Sequence, residues 1–135
     1  ISNKIKIDMK NLDQKIFSDE KWLLFILNQI ISNAVKYKKE DAQISFEARQ
    51  STDQILLEIR DNGIGIAAKD LPRVTDKGYT GTTGRNYEKS TGMGLYLCKK
   101  LCDKLQLSFK IESKEEEYTI VTIGFPRSSM IFLNE

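Results

Sequence analysis

Apolar and polar residues alternate in several stretches of the chain. In KIKIDM the apolar positions are Ile5, Ile7 and Met9. In QISFEAR they are Ile44, Phe46 and Ala48, and in ILLEIR they are Ile55, Leu57 and Ile59. LSFKIES and YTIVTIGF repeat the pattern towards the C-terminal end. A period of two predicts strands with one buried face. The turn-like QSTDQ between the second and third stretches predicts a hairpin, and the charged KEEE predicts an exposed turn between the last two. KIFS, after the turn NLDQ, reads as a further short strand.

Two stretches carry the helical period instead. Leu23, Leu27, Ile30 and Ala34 recur at offsets of four, seven and eleven and build one apolar face. This helix is expected to run to about Tyr37, with Ser18 or Asp19 as its cap and Trp22 in its first turn. Leu95, Cys98, Leu101, Cys102 and Leu105 define a second helix over 93–105. A short helix containing Pro72 is expected over 68–73. Between Lys77 and Gly92 the periodicity lapses, and the Gly, Thr and charged residues there read as a mobile loop. Helices interleaved with antiparallel strands predict an α+β fold, a two-layer sandwich.

The 135 residues fit one domain, 1–135, long enough to bury a core without a metal or disulfide. The net charge of +2 gives no argument for nucleic acid or an anionic membrane. No apolar run approaches the roughly 18 residues of a membrane span. The first residue is Ile1 and the opening is too charged for a signal peptide, so an excised piece of a longer chain is expected. Cys98 and Cys102 read as small buried residues, and His is absent.

Three segments carry candidate chemistry. On the first helix Gln29, Asn33, Lys36 and Tyr37 share a polar face, offering amides, a cation and an aromatic ring. A solvated helix face would look the same. In STGMGL, Gly92 and Gly94 bracket Met93 at a helix start, where unpaired N–H groups favour phosphate. An ordinary capped helix is the competing reading, and the P-loop spacing is missing. In DNGIGI, Asp61 ends a strand, Gly63 and Gly65 let the chain turn sharply, and Ile64 and Ile66 offer apolar walls. An ionised Asp61 could accept from the amine of adenine, or it could simply close a tight turn.

Taken together, in order and spacing, the three segments resemble the N box and the two glycine boxes of the GHKL ATP-binding superfamily. That superfamily includes sensor histidine kinases, heat-shock chaperones, type II topoisomerases and MutL mismatch-repair proteins. The resemblance runs from about residue 5 to 126 and is greatest to the sensor kinases of low-GC Gram-positive bacteria that respond to bacitracin and other cell-envelope peptides. It implies a mixed, mostly antiparallel sheet covered on one face by helices.

It further implies ATP and Mg²⁺ as ligands. Asn33 would coordinate the metal with Gln29 as partner, and Lys36 would approach the phosphates. Tyr37 would border the nucleotide, and Asp61 would read the adenine above Gly63, Gly65 and Ile66. Thr91, Gly92, Met93, Gly94 and Leu95 would form the phosphate side, with 77–92 as a lid carrying Arg85 and Lys89. The hydrolytic branches resemble one another in a Glu where this chain has Gln29. A Gln amide has no useful basicity as a general base. The implied activity is therefore transfer of the γ-phosphoryl group to a His on a separate dimerisation domain, with a response regulator further on. The parent would be a membrane protein with this domain in the cytoplasm.

A hydrolytic module and a degenerate scaffold are the alternatives. Two departures bear on the second. Thr75 stands where the family usually has Phe, with Val74 or Tyr79 as substitutes, and KEEEYT lacks the usual late glycines before Thr119.

Overall fold

The alternating stretches assemble into one five-stranded sheet in a computed structural model that describes residues 5–16, 18–79 and 94–127. In chain order the elements are β1 (Lys6–Lys10), α1 (Glu20–Lys36), β2 (Gln43–Gln50), β3 (Gln54–Asp61), a 3-10 turn (Leu71–Arg73), α2 (Gly94–Lys104), β4 (Ser108–Lys114) and β5 (Tyr118–Pro126). The spatial order is β1-β2-β3-β5-β4, parallel between β1 and β2 and antiparallel elsewhere. This is the mixed, mostly antiparallel α+β sandwich expected.

Register explains how alternation becomes a core. Ile44, Phe46 and Ala48 pair with Asp61, Ile59 and Leu57. Ile55, Leu57, Ile59 and Asp61 pair in turn with Phe125, Ile123, Val121 and Thr119. One face of the sheet is thus apolar along most of its length, and the helices lie on it. Ile26, Ile30 and Ala34 of α1 and Cys98 and Cys102 of α2 share a buried cluster with Ile44, Ile59, Val121, Ile123 and Phe125. The other face is wet. It carries exposed or half-exposed pairs such as Arg49–Glu58 at 3.2 Å and Lys110–Glu112 at 2.8 Å. Such pairs favour solubility more than stability.

α1 begins as expected at Asp19, whose carboxylate accepts from Trp22 N at 3.1 Å. That bond satisfies one of the free N–H groups of the first turn. Replacing Asp19 by Ala is expected to cost about 1 kcal/mol, read as a lower urea midpoint with an unchanged slope. Tyr37 closes the helix, donating its N–H to Asn33 O at 3.0 Å.

Four expectations need correction. Lys15 and Ile16 of KIFS form no strand and pair with none among the described residues; Phe17 is outside them. The short helix shrinks to Leu71–Arg73, a single 3-10 turn. The most buried residue of α1 is Ile26, fully enclosed, which offsets of four, seven and eleven from Leu23 pass over. Ile7 and Met9 form a strand but are 57% and 64% exposed. They share the helix-covered face with Ile44 and Phe46, yet β1 is an edge strand and only Ile5 at its start packs on the core.

Candidate functional site

The apolar face of the sheet ends in a polar row. Asp61 on β3 pairs with Thr119 on β5, which pairs with Ser113 on β4. Ser113 Oγ and Thr119 Oγ1 lie 2.9 Å apart, and Ser113 Oγ also donates to Tyr118 O at 2.7 Å. All three side chains are half-buried. An acid next to a hydroxyl pair at the end of a greasy floor is a directional hydrogen-bonding surface, suited to the polar edge of a flat ligand.

Asp61 is held from behind. Its Oδ1 accepts from Gly63 N at 2.9 Å, the tight-turn geometry that competed with the ligand reading. The turn bond does not exclude a ligand, because a carboxylate has two oxygens and about four lone pairs. Burial pushes the Asp61 carboxyl above the ordinary aspartate range, and the Gly63 N–H offsets part of that. Asn62 points the other way. It accepts from Gln43 N at 2.8 Å and donates to Asp41 O at 3.0 Å, tying the loop to the start of β2.

The glycines have a different immediate reason from the one their motif implied. The nearest neighbours that exclude a side chain are protein backbone. A Cβ on Gly63 would stand 2.7 Å from Tyr37 O. On Gly65, at φ +70, it would stand 2.2 Å from Lys114 O. The loop is therefore wedged between the end of α1 and the β4–β5 turn. Ile64 N donates to Tyr37 O at 3.1 Å, Glu116 N donates to Ile64 O at 2.6 Å, and Ile66 N donates to Ser113 Oγ at 2.8 Å. Lys39 Nζ reaches Glu116 O across the same seam. Glu116 itself holds φ +66, a left-handed position that a glycine would occupy at less strain.

On α1, Gln29 and Asn33 are half-buried and one turn apart. Gln29 Oε1 lies against the start of α2, where a Cβ on Gly94 would be 2.8 Å away. Two distant motifs thus meet. Neutral amide oxygens suit a hard cation that keeps waters and phosphate oxygens as its other ligands. Among the described residues no group of three or more His, Cys, Asp or Glu could hold a metal by itself. Two amide oxygens one helical turn apart are compatible with Mg²⁺ carried in with a phosphate ligand. Lys36 Nζ sits 5.3 Å over the Tyr37 ring, so the cation and the aromatic form one unit. Leu95 is half-buried on the first turn of α2. Thr91, Gly92 and Met93 lie outside the described residues, as do Arg85, Lys89 and most of the segment read as a lid.

Sequence reasoning gave Ser113 no place and Thr119 no role. The available signal was a pair of hydroxyl residues on the inward phase of two strands that otherwise read Phe109, Ile111 and Val121, Ile123.

A sheet roofed by two helices, with an acid and hydroxyls at one end and helix amides facing a glycine helix start, defines a nucleotide-binding domain of the ATPase type. The chain belongs to the histidine kinase-, DNA gyrase B- and HSP90-like ATPase family, which it matches over residues 18–129. Within that family it is similar to the sensor protein BceS of Bacillus subtilis (strain 168), with 41% identity over 126 residues. These are 93% of this chain and 37% of the relative. It is also similar to the sensor histidine kinase GraS of Staphylococcus epidermidis, at 35% identity over 93% of this chain and 36% of that one. The chain therefore spans little more than a third of the length of these relatives. Among solved structures, the mycobacterial sensor histidine kinase MprB matches with a TM-score of 0.80. It covers 90% of this chain and 83% of that one at 18% identity, and thus bears on the fold alone.

Proposed function

We propose that residues 1–135 form one catalytic ATP-binding domain that holds Mg-ATP and donates its γ-phosphoryl group to a His on another domain of a longer sensor kinase. The observation that carries this reading is the polar row at the end of the core face, with Asp61 poised beside Thr119. Asp61 accepts from the exocyclic amine of adenine, and a carboxylate is the strong acceptor that this donor needs. Ile64 and Ile66 wall the ring, and Tyr37 with Lys36 borders the sugar-phosphate side. Asn33 and Gln29 hold Mg²⁺, which when bound neutralises charge on the phosphates. Thr91, Gly92, Met93, Gly94 and Leu95 are assigned to the phosphate side of the ligand.

The chain's own residues contribute positioning and charge neutralisation rather than covalent chemistry. Gln29 supports transfer over hydrolysis, because its amide has no useful basicity towards water. The acceptor His must come from outside, since the chain has none. A dimerisation domain bearing that His and a response regulator are the partners implied. The domain would sit in the cytoplasm below a membrane-anchored parent; among the described residues no helix is long and apolar enough to cross a membrane.

The test is reconstitution. The chain is mixed with a separately folded, His-bearing fragment of the parent and γ-labelled ATP. Acid-labile, base-stable label on the fragment is expected, and none on the chain alone. No label on a folded partner, or steady phosphate release that depends on Gln29, would replace transfer by binding or hydrolysis.

A further inference from the structure

We propose that Tyr79 and Asp70 are positioning residues for the nucleotide site, braced together through the tyrosine hydroxyl. The inference rests on the reading of Asp61 and Ile66 as part of that site. Between Ile66 and Tyr79 the chain makes only one 3-10 turn and pairs with no strand. Its shape therefore depends on turn bonds and side-chain ties. Ile66 N is fixed to Ser113 Oγ at one end. Asp70 N donates to Ala67 O and Arg73 N to Asp70 O, both at 2.9 Å. At the far end Tyr79 OH donates to Asp70 Oδ1. The Arg73 guanidinium lies 4.3 Å over the Tyr79 ring and pairs with Asp76 at 3.4 Å.

Asp70 is only 6% exposed, the one charged residue in the buried set among the described residues. A carboxylate is put there at considerable cost unless a donor meets it. The tyrosine hydroxyl is such a donor. The position where the resemblance implies a Phe is Thr75, which brings no ring. Tyr79, four residues on, brings both a ring, under the Arg73 guanidinium, and a hydroxyl, bonded to Asp70.

The consequence for binding is preorganisation. The brace keeps the segment that begins at Ile66 in one shape before a ligand arrives. Without the hydroxyl that shape is populated for a smaller fraction of the time, and apparent affinity falls by the same fraction.

The experiment compares the 135-residue chain with Tyr79→Phe, Asp70→Asn and the double variant. Each is titrated with a non-hydrolysable ATP analogue and Mg²⁺, and its thermal midpoint is taken in the same buffer. Tyr79→Phe is expected to weaken binding at least severalfold, up to the roughly ten- to hundredfold that one hydrogen bond to a charged group is worth. Asp70→Asn keeps an oxygen that can still accept from the hydroxyl and should weaken binding less, and the double variant should be weakened by less than the two single effects added together, because the two residues share that bond. A Tyr79→Phe chain that binds like wild type overturns the proposal, even if its midpoint drops, since the brace would then be structural only. Should Asp70→Asn not fold, Tyr79→Phe decides alone, as it keeps the ring and the Arg73 contact. Failure of the unaltered chain to bind sinks the reading of the site and the brace with it. Binding by the unaltered chain and by Tyr79→Phe alike sinks only the brace.

Discussion

Asp61→Asn is expected to leave the chain folded and to weaken ATP binding by about ten- to a hundredfold. The fold survives because an amide oxygen can still accept from Gly63 N, the backbone group that the carboxylate holds in the turn. Binding does not, because the remaining group is then an NH2 donor facing the donor edge of adenine, and two buried donors are left unpaired. Calorimetric titration of both proteins checks this, with far-ultraviolet circular dichroism as the fold control. Equal affinities would remove the adenine from Asp61.

The same residue sets a pH dependence with opposite signs for folding and for binding. Burial raises the Asp61 carboxyl in the folded chain. The folded state then holds a proton that the unfolded state has already lost. The contribution of this group to stability is therefore greatest in acid and fades as pH rises from the unfolded pKa through the folded one. Nucleotide binding needs the ionised form and weakens as pH falls through the same raised value. Affinity measured from neutral pH downward should begin to drop above the range of an ordinary aspartate.

Gly65→Ala is expected to destabilise the chain by roughly 2–5 kcal/mol, the sum of a left-handed backbone penalty and an overpacking penalty. The methyl group would arrive 2.2 Å from Lys114 O, 2.8 Å from its carbonyl carbon and 3.0 Å from Glu115 Cα. None of these is a flexible side-chain end. Lys114 is the last residue of β4, paired with Tyr118, and its carbonyl already accepts from Glu117 N at 3.0 Å. Gly78 is the control. Its φ is +75 but among the described residues nothing lies within 4 Å of its missing Cβ. Gly78→Ala should therefore show only the backbone term, about 1–2 kcal/mol. Urea unfolding of the two variants separates clash from conformation, and equal losses would mean that the β4–β5 turn moves aside freely.

Local chemistry was legible in the sequence, and contacts across the fold were not. The Asp19 cap, the β2–β3 hairpin and the buried cysteines follow from neighbouring residues and simple periods. The acid at the end of β3 stands out because a strand rarely runs from ILLEIR into a carboxylate and two glycines. Ser113 and Thr119 escaped because their place beside Asp61 is set by the register of β5 between β3 and β4, which no local pattern encodes. Ile7 and Met9 alternate correctly, yet alternation says which face they share and not whether a helix reaches far enough to cover it. The glycine motif marks a tightly constrained loop, but it does not name what constrains it. Sequence shows that a Cβ is unwelcome at Gly65, and only the fold shows that a neighbouring carbonyl excludes it.

Cys98 and Cys102 are wholly enclosed between α1, α2 and the sheet. Burial, with the neighbouring Cys102 charge adding to it, pushes the Cys98 thiol up to about 12. Burial and Asp103 push Cys102 to about 11 against the pull of Lys99. Since alkylating reagents attack the thiolate, the native chain is doubly shielded, by access and by protonation. Labelling speed is thus an internal clock for how often the helical roof lifts off the sheet, readable by mass spectrometry without adding a single probe.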